Sequence, residues 1–109
     1  MVMPVSIPGL MIPVEEIAAI CRKHGVDELL VFGSALRRDF TAASDVDFLV
    51  RFHNEDAGPW LGKFDDLELD LSALLGRQVD VVDKSAIEQD LNWVRRRNIL
   101  SSAVQLYVA

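Results

Sequence analysis

Apolar residues along this chain follow two rhythms, one of helices and one of strands. Between residues 13 and 25 the spacing is helical: Ile17, Ile20 and Cys21 share a face. Pro13 suits the first turn, Glu15 and Glu16 lie near its positive end, Arg22, Lys23 and His24 fill the last turn, and Gly25 supplies a stop. "ELLVFG" has the continuous apolar character of a short buried strand ending at Gly33, and residues 34–40 read as a short helix or turn. "DVDFLVRF" alternates, so Val46, Phe48 and Val50 face one way while Asp45, Asp47 and Leu49 face the other.

The segment "WLGKFDDLELDLSALLG" fits both rhythms. Leu67, Leu69 and Leu71 alternate like a strand, yet Phe64, Leu67, Leu71, Leu74 and Leu75 recur like a helix, and length together with Gly76 as a stop favours a helix from about Leu61 to Leu75. "QVDVVD" predicts a third strand, Gln78 to Val82, with Asp80 and Val82 on one face. Residues 86–99 read as irregular or helical, and "AVQLYV" as a closing strand. Pro4, Pro8 and Gly9 make residues 1–12 an irregular lead-in, leaving 13–109 as one domain. The expected fold class is α+β, a small mixed α/β sheet with helices packed against it.

Composition narrows the function. With 109 residues the chain has room for one modest core and none for a separate substrate domain. A formal net charge of −6 disfavours a broad nucleic-acid groove, so neither DNA binding nor RNA extension is expected. The single cysteine forms no internal disulfide, and the proline-broken apolar start lacks a basic leader region and is too short to span a bilayer. A cytoplasmic protein without membrane association is expected.

The acidic residues carry the candidate chemistry. Two carboxylates on one face of a buried strand repel each other, and a divalent cation relieves both the repulsion and the desolvation. Mg²⁺ favours such hard oxygen ligands together with substrate phosphates. If the strand at Gln78–Val82 lies beside that at Asp45–Val50, Asp80 joins Asp45 and Asp47, and three carboxylates can hold two ions. In that arrangement Asp45 and Asp47 bridge the metals and Asp80 helps take the proton of an attacking hydroxyl. Gly33 leaves room for a phosphate, Ser34 caps the short helix toward phosphoryl oxygens, and Arg37 or Arg38 adds positive charge. Taken singly, D-x-D at a strand end is also a common solvated terminus and Gly-Ser a common turn. It is their combination on successive strands that points to a metal-triphosphate site.

The stretch "GSALRRDFTAASDVDF" resembles the signature of the DNA polymerase beta-like nucleotidyltransferase superfamily, and the short length and the ending "RRRNILSSAVQLY" resemble its minimal nucleotidyltransferases, the MntA-like antitoxin group. The resemblance covers roughly residues 14–108. By it, Gly33 and Ser34 match the phosphate-binding turn, Asp45 and Asp47 the metal-binding pair and Asp80 the third carboxylate. Arg37 and Ser44 are the further nucleotide-side candidates. Phe40 stands where the family often has a glycine or another small residue. The resemblance implies a Mg²⁺-dependent enzyme, with two ions in the family's manner, that uses ATP to attach AMP to a tyrosine hydroxyl of a small all-helical HEPN-type toxin, in a hetero-oligomer with it. Alternatives are a non-catalytic antitoxin or scaffold that neutralises its partner by binding, and a small-molecule nucleotidyltransferase.

Other residues divide between packing and contact. Arg95, Arg96 and Arg97 are either a solvated helix face or contacts to a triphosphate or an acidic partner. Trp60 and Trp93 are core or interface anchors, and Tyr107 serves packing or partner contact. Cys21 reads as a buried thiol, His24 as a helix-end charge, and His53 lies too far from Asp47 to be a ligand.

Overall fold

The structure, a computed structural model, describes residues 12–36, 44–53 and 62–109. Its elements are α1 (Val14–Lys23), β1 (Val26–Phe32), a 3-10 turn (Gly33–Leu36), β2 (Val46–Phe52), α2 (Gly62–Leu75), β3 (Val79–Asp83), α3 (Lys84–Glu88), α4 (Trp93–Ser102) and β4 (Val104–Val108). The strands form one sheet in the order β3-β2-β1-β4. β1 runs antiparallel to β2 and β4, and β2 parallel to β3, with α2 as the crossover that a parallel pair requires. This is the mixed sheet with packed helices that the sequence pattern predicts.

α1 begins where expected. Pro13 is its N-cap residue and its carbonyl accepts from the Ile17 N–H (3.0 Å). At the other end the His24 N–H donates to the Ile20 carbonyl, and Gly25 takes the left-handed conformation (φ +68°) that turns the chain directly into β1. β1 therefore starts earlier than the apolar run suggests, at Val26. α2 resolves the ambiguous segment as a helix: Leu67 and Leu71 are buried while Leu69 is 69% exposed, an arrangement the strand reading cannot give. Lys23 and His24 tie α1 to α2 through Asp70, the His24 Nε2 lying 2.6 Å from Asp70 Oδ2.

One face of the sheet carries the main core. Leu29 and Val31 of β1, Val46, Phe48 and Val50 of β2, and Val79 of β3 pack with Ile17, Ala18 and Cys21 of α1 and Leu67 and Leu71 of α2. Tyr107 belongs to this core, which selects packing over partner contact for it. Burial raises the Cys21 thiol to about 12, so it is a neutral apolar filler at physiological pH.

Positions of opposite parity point to the second face, where Leu30 and Leu49 are buried outside that core and α3 packs on β2 and β3. Charged groups bind α3 down there. Lys84 Nζ donates to Glu28 Oε1 and Gln105 Nε2 to Glu28 Oε2, each at 2.6 Å, while Arg51 Nη2 donates to both oxygens of Glu88 at 2.9 and 3.0 Å. Burial pushes the Glu28 carboxyl up, but the bonds from Lys84 and Gln105 and the charges of Lys84 and Arg51 outweigh it and hold the carboxyl below its ordinary range. The segment 86–99 is thus two helices. Asp83 caps α3 by accepting from the Ser85 N–H, and Asn92 caps α4 by accepting from the Arg95 N–H. At the free side of β3, Glu68 of α2 accepts from the Val81 N–H at 3.1 Å, which occupies a donor that an edge strand otherwise exposes.

Of the lead-in, only Ile12 is among the described residues, and Arg37, Arg38, Phe40 and Trp60 lie outside them, as does the side chain of Ser34. No helix among the described residues is long and apolar enough to cross a membrane.

Candidate active site

The parallel pairing of β2 with β3 fixes the acidic positions. In register, Asp47 is opposite Asp80, with Phe32 of β1 opposite Asp47 on its other side. Residues paired across a sheet point to the same face, so Asp47 and Asp80 share the second face of the sheet. The pairing starts where the Val46 N–H donates to the Gln78 carbonyl at 3.0 Å. Asp45 immediately precedes the strand and is exposed, Asp47 is half-buried, and Asp80 is exposed on the edge strand. Ser44 is half-buried, and its carbonyl accepts from Arg77 Nη1 at 3.2 Å, which anchors the entrance to β2 against the end of α2.

Gly33 is required here for two reasons. Its φ of +72° lies in the left-handed region that side chains disfavour, and a Cβ built on it would stand 2.5 Å from Asp47 Oδ2. The bare backbone of the turn thus runs against the carboxylate at the end of β1. The predicted Gly33 and Asp47 are brought together by the β1–β2 pairing, in which Phe32 is the partner of Asp47.

Beside them opens a cleft of about 450 Å³, lined by Phe32, Gly33, Leu36 and Asp47 on one wall and by Asn98, Ile99 and Ser102 of α4 on the other. The α4 wall has no precursor in the sequence motif. Nothing local marks Asn98 or Ser102 as site residues, because it is the return of the chain into β4 that carries α4 past the start of β2. Ser102 Oγ donates to the Asn98 carbonyl at 2.6 Å, which ties the end of α4 to its own preceding turn.

The donor set is chemically suited to a hard divalent cation, since carboxylate oxygens flank a position that glycine keeps open. As the side chains stand, no group of three or more His, Cys, Asp or Glu residues among the described residues is close enough to hold a metal ion. Of the three expected carboxylates, Asp47 and Asp80 share a face and a register without forming a closed cluster, and Asp45 lies just before the strand. A second cleft, of about 320 Å³, lies at the other end of β2 among Arg51, Phe52, Lys63 and Phe64, and holds none of the motif residues.

The family described as nucleotidyltransferase domain matches residues 14–106 of this chain. The protein adenylyltransferase MntA of Thermococcus cleftensis is 42% identical over 89 residues, covering 74% of this chain and 87% of that protein. A solved structure described as a minimal nucleotidyltransferase superposes with a TM-score of 0.65 at 33% identity, covering 85% of this chain and 88% of the other. The fold also matches a toxin-antitoxin structure with AMP-PNP, with a TM-score of 0.66 at 19% identity over 90% of this chain and 75% of that one.

Proposed function

We propose that this chain, which belongs to the nucleotidyltransferase domain family and is a minimal nucleotidyltransferase of the MntA-like group, transfers AMP from ATP to a tyrosine hydroxyl of a small all-helical HEPN-type toxin and so acts as its antitoxin. The observation that carries the reading is the placement of Asp47 beside Asp80 on one sheet face, against the glycine turn and at the wall of the 450 Å³ cleft. The AMP-PNP in the fold neighbour and the adenylyltransferase activity in the name of the Thermococcus cleftensis relative favour an adenine nucleotide as donor. The reading takes residues 13–109 as one catalytic domain working in the cytoplasm.

Asp45, Asp47 and Asp80 would hold the Mg²⁺ ions. Bound there, Mg²⁺ supplies charge that stabilises the attacking and leaving oxygens of an in-line displacement. Gly33 lets the backbone approach the triphosphate without a side chain in the way, and Ser34, Arg37 and Ser44 are the remaining nucleotide-side candidates. The acceptor oxygen attacks the α-phosphorus, an O–P bond forms, the bond to the β-phosphate oxygen breaks, and pyrophosphate leaves. Asp80 takes the hydroxyl proton, for which its exposed edge position leaves access. The cleft wall of Phe32, Leu36 and Ile99 gives apolar cover to whatever occupies the site.

The test is incubation of this protein and a small all-helical HEPN-type protein from the same source with Mg²⁺ and ATP labelled on the α-phosphate. Label is expected on the partner with the wild type. Absence of label from a folded, bound partner would overturn the reading.

A further inference from the structure

α4 is an anomalous helix. None of its ten residues is buried, and large apolar side chains crowd its start: Leu91 is 96% exposed, Trp93 60% and Val94 48%. Three arginines follow at once, with no acidic residue in the first turn, so positive charge sits near the positive end of the helix dipole, where it is disfavoured. Asp90 answers part of that charge, accepting from Arg95 Nε at 2.7 Å with its side chain and from Arg96 Nη1 at 3.1 Å with its carbonyl. Arg97 is exposed and makes no ion pair with a described residue. Neither helix stability nor core packing accounts for this surface.

Its position does. Val94, Asn98 and Ser102 are four residues apart and so form one ridge along α4. The last two line the cleft opposite Asp47 and Gly33. At 1.5 Å per residue the ridge spans roughly 12 Å, which places the exposed apolar group at the rim of the candidate active site. Trp93 and Arg97 are also four apart and flank the ridge, so aromatic, aliphatic and guanidinium groups share this rim. Trp and Arg are the side chains that most often anchor protein interfaces.

We infer that the segment from Leu91 through Arg97, the approach to α4 and its N-terminal half, is the docking surface for the protein that receives the nucleotidyl group, and that this protein meets it with an apolar centre bordered by acidic side chains. The inference rests on the proposed transfer to a protein hydroxyl. On a chain of net charge −6, a local basic patch steers an acidic partner to one place while the remaining surface repels it. A partner seated there lies over the cleft mouth and can present a hydroxyl along the Asn98–Ser102 wall.

The test uses the full chain and a small all-helical HEPN-type protein from the same source, with association measured by calorimetry and MgATP affinity by a fluorescent ATP analogue. The double variant Trp93→Asp, Arg97→Glu is expected to weaken association by roughly tenfold or more, to make it less sensitive to salt, and to leave MgATP affinity unchanged. Leu91→Asp, at an almost fully exposed position, is expected to act in the same direction without any effect on folding. Association unaltered in both variants would overturn the inference, as would failure of the wild type to bind this protein. Loss of label transfer with Asp47→Asn while association persists supports it. Wild type that binds through α4 yet never transfers label would overturn the proposed transfer and leave the surface standing.

Discussion

The two faces of β2 are built from alternate residues of one strand and serve different ends. Val46, Phe48 and Val50 point into the core formed with α1 and α2, where none of them is more than 1% exposed. Asp47, Leu49 and Arg51 occupy the positions between them and point to the face that carries α3 and the cleft. The period of two therefore separates the main core from the proposed chemistry along one strand. The second face is itself divided. Toward the end of β2 its acids are matched, Glu28 by Lys84 and Gln105 and Glu88 by Arg51; toward the beginning, Asp47 and Asp80 stand side by side at a glycine turn.

That division is tested most severely on the core face. Phe48→Ala is expected to cost about 3–5 kcal/mol of unfolding free energy, measured by urea denaturation, with enough folded protein at low temperature to retain MgATP binding. Next comes the opposite face of the same strand. Asp47→Asn is expected to lower nucleotidyl transfer by about 100-fold or more while its urea midpoint stays close to wild type; a large stability loss there would erase the distinction between the faces. Gly33→Ala should do some of both, since a positive φ costs about 1–2 kcal/mol with a side chain present and the new methyl would displace the Asp47 carboxylate. Reduced transfer together with a lowered melting temperature is the expected result.

The matched end predicts a smaller, pH-dependent effect. The folded Glu28 carboxyl lies below its ordinary value of 4.5, so its contribution is fully present above that value and disappears as pH falls through the folded value. Glu28→Gln should therefore be less stable than wild type by about 1 kcal/mol at neutral pH, and the two melting curves should draw together in acid below pH 4.5. Smallest of all is the core thiol. With Cys21 raised to about 12 by burial, an alkylating reagent at neutral pH should modify it only after denaturant is added.

Much of this division is legible in the sequence, because alternation and helical spacing are local properties. The opposed faces of Val46–Val50 and the helix at Gly62–Leu75 follow from spacing, and the shared side of Asp47 and Asp80 follows once β2 and β3 are taken as neighbours. What spacing lacks is any record of tertiary approach. α4 has no buried residue and hence no apolar stripe, so residues 86–99 give no clear helical rhythm, and Asn98, Ile99 and Ser102 reach the cleft only through the path of the chain into β4. The start of β1 is hidden for another reason. Asp27 and Glu28 interrupt its apolar run, yet Glu28 is held on the sheet by Lys84 and Gln105, fifty-six and seventy-seven residues away. The Gly33 requirement is partly visible as a Gly-Ser turn, but the contact that forbids a side chain there depends on the register of β1 with β2.

The most direct measurement of the central claim is intact-mass spectrometry of the all-helical partner after co-expression with this protein, wild type or Asp45→Asn, Asp47→Asn. The account predicts that wild type increases the partner's mass by one or more AMP units on tyrosine and that the double variant leaves it unmodified. An unmodified partner that the wild type nonetheless binds and neutralises, with the double variant neutralising it equally well, would contradict the account and make the chain an antitoxin that acts by contact alone.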